Sequence, residues 1–218
     1  MKHQFDLENL FSFLNSQSIV LSNRQKQQFE TYQKLLKIWS RKQNLVSSND
    51  LSHLVERHFL SSALFLNYLP GTISGKIIDI GTGAGFPGVI LKILQPRMSL
   101  TLLDSSHKKV LFLEEVCEQL NLDCPIINKR SEEYMPQSSE KYQFVISRAV
   151  ARLKQMWELS GHLIDTGGNL YTIKGGNIHR EIEELNNGNL TVNVIIPDTD
   201  WLNVSNYLKD KYIVILEL

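Results

Sequence analysis

Apolar positions recur every three to four residues from Leu7 to Leu69, as at Phe29, Tyr32, Leu35, Leu36 and Trp39, and this spacing predicts helices. Ser22 ahead of Asn23, and the stretch from Ser47 to Asp50, supply N-cap residue types before two such runs, so the segment divides into separate helices. After Pro70 and Gly71 the pattern changes. Short apolar runs, "KIIDI" (76–80), "SLTLLD" (99–104), "PIIN" (125–128), "YQFVIS" (142–147) and "NLYTIK" (169–174), alternate with helix-like stretches at 89–95 and 106–121. Such alternation predicts βαβ units around a mostly parallel sheet. "LTVNVIIP" (190–197) and "YIVILEL" (212–218) add two strands, joined by a polar loop around Trp201, for about seven in all. The expected organisation is α/β: a small helical region over 1–69, packed as a cap, and a sheet domain over 70–218.

Composition narrows the setting. With 218 residues and 42% hydrophobic content, the chain can bury a core without disulfide staples. Cys117 and Cys124, no secretory leader pattern and no apolar run of membrane-spanning length predict a cytoplasmic protein without membrane attachment. Lys and Arg total 23, as do Asp and Glu, which argues against a protein that grips nucleic acid by gross charge. The balance is uneven along the chain: residues 1–60 hold eight basic side chains and five acidic ones. Within that excess, Arg41 with Lys42, and Arg57 with His58, are the candidates for an RNA-facing surface.

The densest chemical signal is "IIDIGTGAGFPGVI" at 77–90. Gly83, Gly85 and Gly88 satisfy the dinucleotide pattern G-x-G-x-x-G, and Gly81, Gly83 and Gly85 let the backbone turn sharply against a ligand. Pro87 suits the start of the following helix. Asp79, two residues before the first glycine, would repel a phosphate but suits an ammonium, directly or through water. That favours S-adenosyl-L-methionine (SAM) over NAD(P). Asp104, at the end of the second strand, can accept bonds from both hydroxyls of a ribose, which serves either cofactor, and it can equally cap the next helix.

"DIGTGAGFPGVILKI", "TLLDSSHKKVLFLEEV", "KRSEEY", "FVISRAVARL" and "YTIKG" follow one another in the order and spacing of the RsmG (GidB) family of bacterial small-subunit ribosomal RNA methyltransferases. "WSRKQNLVSS" and "ERHFLSS" resemble that family's N-terminal signatures, so the resemblance runs from about Trp39 to Lys174. It implies a class I SAM-dependent methyltransferase fold, Rossmann-like, that methylates N7 of one guanine in the 530 loop of 16S rRNA, free or in the small ribosomal subunit. It further implies SAM contacts at Gly81 and Phe86, at Asp104 for the ribose, and at Ser131 and Glu132 beside the adenine, with Arg148 near the methyl donor. The chain departs from the family at Ala84, often proline there, at Ser61, often an acid, and at Lys109, where the family has arginine.

Residue chemistry fits this target. Ser147, Arg148 and Ala149 stand where amino-group methyltransferases carry an Asn/Asp-Pro-Pro-aromatic motif, and the two cysteines read as core thiols rather than a C5 nucleophile. Guanine N7 carries no proton and exposes its lone pair, so transfer needs alignment rather than a general base. Arg148 and Lys174, both expected at carboxyl ends of strands, are the candidates to hold the guanine or a neighbouring phosphate. No metal is expected, and the protein is expected to be a monomer. The competing readings are methylation of a different RNA guanine, a methyltransferase fold that binds RNA or protein without catalysis, and an NAD(P) oxidoreductase.

Overall fold

The structure is a computed structural model describing residues 5–70, 75–137, 140–148, 151–185 and 190–217. The N-terminal part is helical, with α1 (Leu7–Ser16), α2 (Asn23–Gln43) and α3 (Ser48–Leu51) followed by a π-helical segment Val55–Leu60, α4 (Ser61–Ala63) and a 3-10 turn Leu64–Asn67. Ser22 caps α2 through a capping box with Gln25, and Ser47 caps α3, as their residue types predict.

Strands β1 (Ile77–Ile80), β2 (Leu100–Leu103), β3 (Ile126–Ile127), β4 (Tyr142–Arg148), β5 (Ile164–Gly175), β6 (Thr191–Ile195) and β7 (Lys211–Glu217) form one sheet in the order β3-β2-β1-β4-β5-β7-β6. The first five are parallel in sequence of pairing, and β7 runs antiparallel between β5 and β6. Helices α5 (Gly88–Leu94), α6 (His107–Leu120), α7 (Leu153–Ser160) and α8 (Ile178–Leu185) connect the strands. The strand order reverses between β1 and β4, so their carboxyl ends open the crevice where such sheets bind ligands.

Alternate residues of each strand feed two cores. Ile213 and Ile215 join one face with Ile77, Leu100, Leu102 and Ile146, while Val214 and Leu216 join the other with Ile78, Ile80 and Val145. The N-terminal helices share the first of these cores, through Leu10, Phe29, Tyr32 and Leu36, with α5 and α6. The helical segment therefore packs as a layer of the sheet domain.

The expected polar loop around Trp201 is a correction. Residues Thr199–Val204 form a short helix, α9, and Trp201 is fully buried, its ring edge-on to Phe13 of α1 at 4.9 Å. The polar residues around it, Asp198, Thr199 and Asp200, are the cap and first turn. A helix of 6 residues is too short for its apolar period to stand out.

Candidate functional site

The glycine loop is held open by groups on three elements. Asp79 is completely buried at the end of β1, and its Oδ2 accepts from Thr82 Oγ1 at 2.6 Å and from the Gly88 amide at 2.8 Å. Gly88 is required there, since a Cβ would lie 2.7 Å from that oxygen. Burial raises the Asp79 carboxyl from its ordinary range to about 7, opposed by the Thr82 and Gly88 bonds. Its Oδ1 has no partner among the described residues.

Tyr32 of α2 supports the loop from the opposite side. Its hydroxyl donates to the Ala84 carbonyl, and a Cβ on Gly85 would meet that hydroxyl at 2.7 Å, with φ at +94°. This support was not foreseen from the sequence, where Tyr32 reads as one more apolar position of a helix. Ala84 is thus held through its carbonyl, which a proline there would also supply.

Asp104 links the loop to the next helix. Its Oδ2 accepts from the Gly83 amide at 2.9 Å and pairs with Lys109 at 3.5 Å, while Oδ1 accepts from the Ser106 amide at 2.9 Å. Lys109 therefore keeps a cation beside Asp104 where the family has arginine. Gly81, Asp104, Ser131, Glu132 and Arg148 together line a pocket of about 360 Å³ beside Lys109. That volume lies within the range of small-molecule sites. Ser131 Oγ donates to the Leu159 carbonyl at 2.6 Å, which ties the Ser131–Glu133 turn to α7. Asp104, at the end of β2, faces this pocket and fits a ribose, whereas Asp79 is completely buried and, with Gly83 and Gly85, does not line it, so the structure does not bring every predicted cofactor residue to the cavity wall.

Arg148, the last residue of β4, closes this pocket on its far side. Its Nη1 donates to the carbonyl of Arg57 at 2.9 Å and to Ser61 Oγ at 2.5 Å, its Nη2 donates to His58 Nδ1, and its guanidinium lies 5.1 Å over the Phe86 ring. No carboxylate lies within ion-pair distance of it among the described residues. The π-helical winding of Val55–Leu60 presents the carbonyls it uses. Because arginine only donates, His58 Nδ1 must accept and the proton resides on Nε2. Burial, then the Arg148 charge, lowers His58 from 6.5 to about 3, so it is neutral at physiological pH.

Ser61 occupies the position where the family often has an acid, and here it is a neutral acceptor for Arg148 while itself donating to the Arg57 carbonyl at 2.5 Å. Ser61→Ala is expected to destabilise the fold by about 1–3 kcal/mol, the cost of an unmet buried polar group. A thermal melt reads this directly; an unchanged midpoint would mean that the backbone carbonyls alone satisfy the guanidinium.

The remaining candidates fall on two sides of the site. Lys174 is buried, pairs with Glu181 at 2.9 Å and donates to the Ala151 carbonyl. It shares a second pocket of about 520 Å³ with Arg148, His58 and Ser61. Arg57 is paired with Asp50 at 2.9 Å. Phe86 is turned inward, 4.8 Å from the His58 ring and beneath Arg148, rather than into the first pocket. Arg41 and Lys42 are exposed in the last turn of α2. Gln28 of α2 donates to the Leu120 carbonyl and Trp39 to Glu115, so α2 and α6 run in opposite directions. Arg41 and Lys42 therefore lie towards His107, Lys108 and Lys109 at the start of α6. Ala149 lies outside the described residues. Among the described residues no group of acidic, histidine and cysteine side chains is placed to hold a metal, and no helix is long and apolar enough to cross a membrane.

Comparison with known proteins places this geometry. A family profile described as rRNA small subunit methyltransferase G matches residues 25–198. A ribosomal RNA small subunit methyltransferase G of Mycoplasma capricolum is 40% identical over 183 residues, covering 84% of this chain and 78% of that protein. The Staphylococcus carnosus protein of the same name is 36% identical over 182 residues, covering 82% and 76%. Among solved structures, the plantazolicin methyltransferase BpumL in complex with a triazolic desmethylPZN analog and SAH superposes with a TM-score of 0.58 at 14% identity, over 90% of this chain and 99% of that one. A SAM-dependent methyltransferase from Mesorhizobium loti gives 0.53 at 11% identity, over 72% and 96%. The structural likenesses establish the class I methyltransferase fold.

Proposed function

Because the chain belongs to the rRNA small subunit methyltransferase G family, we propose that it transfers the methyl group of SAM to N7 of a guanine in the 530 loop of 16S rRNA. The observation that carries the reading is the position of Arg148, which, among the described residues, is the side chain common to the pocket lined by Gly81, Asp104, Ser131 and Glu132 and to the pocket lined by His58, Lys174 and Glu181. Donor and acceptor have adjoining compartments that meet at this guanidinium.

Bound in the first pocket, SAM supplies an electrophilic methyl group on a sulfonium. Asp104 would hold the ribose end, Ser131 and Glu132 would flank the adenine, and Asp79, which is completely buried, would meet the ammonium through water or a shift of the glycine loop. Gly81, Gly83 and Gly85 give the backbone its close approach, with Phe86 supporting Arg148 from below. In the second pocket Arg148 and Lys174 position the nucleotide, so that the reaction draws on alignment and electrostatics and needs no proton acceptor. Arg41, Lys42, Arg57 and His58 belong to the rim on which the RNA lies. The oxidoreductase reading falls with the family assignment.

Small subunits from cells lacking the modification, incubated with the protein and SAM and then mapped by chemical cleavage at N7-methylguanine, are expected to gain one cleavage in the 530 loop. Cleavage at another guanine would move the target. Failure to methylate by protein that binds SAM would overturn the catalytic reading.

A further inference from the structure

A third concavity adjoins the acceptor side. It is a cleft of about 1250 Å³ between α1, the segment 52–57 and residues 203–207, and its walls carry the hydrogen-bonding side chains Asn9, Ser12, Asn203 and Asn206 together with one carboxylate, Glu56, and one guanidinium, Arg57. It shares Tyr207 with the pocket that contains Arg148 and Lys174. The three concavities therefore form a series with two junctions, Arg148 between the first and second and Tyr207 between the second and third.

Tyr207 sits in the 3-10 turn Asn206–Leu208 and is half-buried. Its ring attracts two cations, Lys211 with Nζ 4.6 Å from the centroid and Arg57 with Cζ at 5.9 Å. Lys211 faces Gly175 across the β5–β7 pairing, and a Cβ on that glycine would lie 2.8 Å from the Lys211 ammonium. The absence of a side chain at Gly175 is what lets Lys211 lie along the pocket wall. Four cationic side chains line this second pocket: Arg152, Lys174 and Lys211 are paired with Glu184, Glu181 and Asp210, while Arg148 has no carboxylate partner among the described residues. An electron-rich ring beside two cations, Lys211 paired with Asp210 at 2.7 Å and Arg57 with Asp50 at 2.9 Å, between a cation-rich pocket and a hydrogen-bonding cleft, matches single-stranded RNA: phosphate on the cations, a base on the ring, neighbouring base edges in the cleft.

Resting on the proposed RNA methyltransferase function, we propose that the cleft carries the RNA strand flanking the target nucleotide, and that Tyr207 is the positioning residue on which the target base or its neighbour stacks, with Lys211 as its phosphate contact. The strand enters along α1 and residues 203–206, and the target base passes Tyr207 to reach Arg148. On entry the base takes the place of the Lys211 ammonium over the ring, and the ammonium moves to phosphate.

The test measures small-subunit binding by filter retention and methyl transfer with labelled SAM for wild type, Tyr207→Ala, Tyr207→Phe and Lys211→Gln, with SAM affinity measured separately by calorimetry. Tyr207→Ala is expected to weaken subunit binding and raise KM roughly ten- to a hundredfold, the range for loss of one base–aromatic stack, with SAM affinity within about twofold of wild type. Tyr207→Phe keeps the ring and is expected to behave as wild type. Lys211→Gln is expected to reduce the slope of log affinity against log salt by about one. Unchanged binding in Tyr207→Ala, an equal loss in Tyr207→Phe, or a parallel loss of SAM affinity would overturn the assignment and leave Tyr207 as scaffold. Binding is read without turnover, so a wild-type protein that binds subunits through Tyr207 yet transfers no methyl group refutes the proposed activity while upholding the RNA path.

Discussion

Arg148→Ala is expected to lower methyl transfer to small subunits by roughly a hundredfold or more, in line with the sensitivity of aligned reactions to loss of a positioning group. The guanidinium donates to the carbonyl of Arg57, to Ser61 and to His58 at once, and it borders both the donor and acceptor pockets. Its removal frees the π-helical segment from the end of β4 and opens the wall between the two pockets. Arg148→Lys cannot replace it, because one ammonium does not span acceptors that a planar fork reaches together. Turnover on subunits, SAM affinity and melting temperature are to be measured on the same preparations. A turnover loss much larger than the loss of SAM affinity supports a role in alignment. Unchanged turnover would remove Arg148 from the site and leave it as a tether between β4 and the N-terminal helices.

Asp79→Asn separates stability from binding. Asp79 is buried, its Oδ1 has no partner among the described residues, and burial raises its carboxyl from 3.8 to about 7. The fold therefore holds this proton more tightly than the unfolded chain does, so Asp79 makes stability fall as pH rises from about 4 to about 7, and remain level above that. Asparagine keeps the oxygen that Thr82 and Gly88 use and carries no charge. The variant is expected to melt higher than wild type at pH 8 and at the same temperature near pH 4.

Binding should move the other way. SAM affinity is expected to weaken roughly ten- to a hundredfold in the variant, the worth of a hydrogen bond to a charged group. At pH 6.5 wild type is expected to release protons on binding SAM, because an ammonium near Asp79 draws its carboxyl back towards ionisation. Calorimetry in two buffers of different ionisation enthalpy counts those protons. Equal SAM affinity in both proteins would show that Asp79 only braces the loop.

Much of the fold was legible in the chain, for particular reasons. The runs at 76–80, 99–104 and 142–147 are bounded by turn chemistry and too short for core helices, and they contain the strands Ile77–Ile80 and Leu100–Leu103 and all but the last residue of Tyr142–Arg148. Asp79, the glycines and Asp104 lie at predictable ends of consecutive strands, so their proximity follows from parallel topology alone. Contacts between segments distant in sequence were not legible. Arg148 reaches Ser61 across 87 positions, and Tyr32 reaches Ala84 across 52. Nor does any residue pattern announce a π-helical turn at 55–60, because its side-chain period differs too little from that of an α-helix over 6 residues. Trp201 and Tyr207 were missed because their helices are a turn or two long and set among polar residues.

The place of β7 has a consequence for how the protein is made. A chain leaving a ribosome delivers β5 and β6 before it delivers β7, yet β7 is the strand that lies between them. Until Lys211–Glu217 emerges, β5 presents an unpaired edge and β6 has no neighbour in the sheet. Trp201, which packs on Phe13, comes late as well, so α1 waits with part of its apolar side uncovered. Closure of the sheet thus waits for β7, and nascent chains stalled before Lys211 should be sensitive to protease and prone to capture by chaperones, while those in which Lys211–Glu217 has emerged should not.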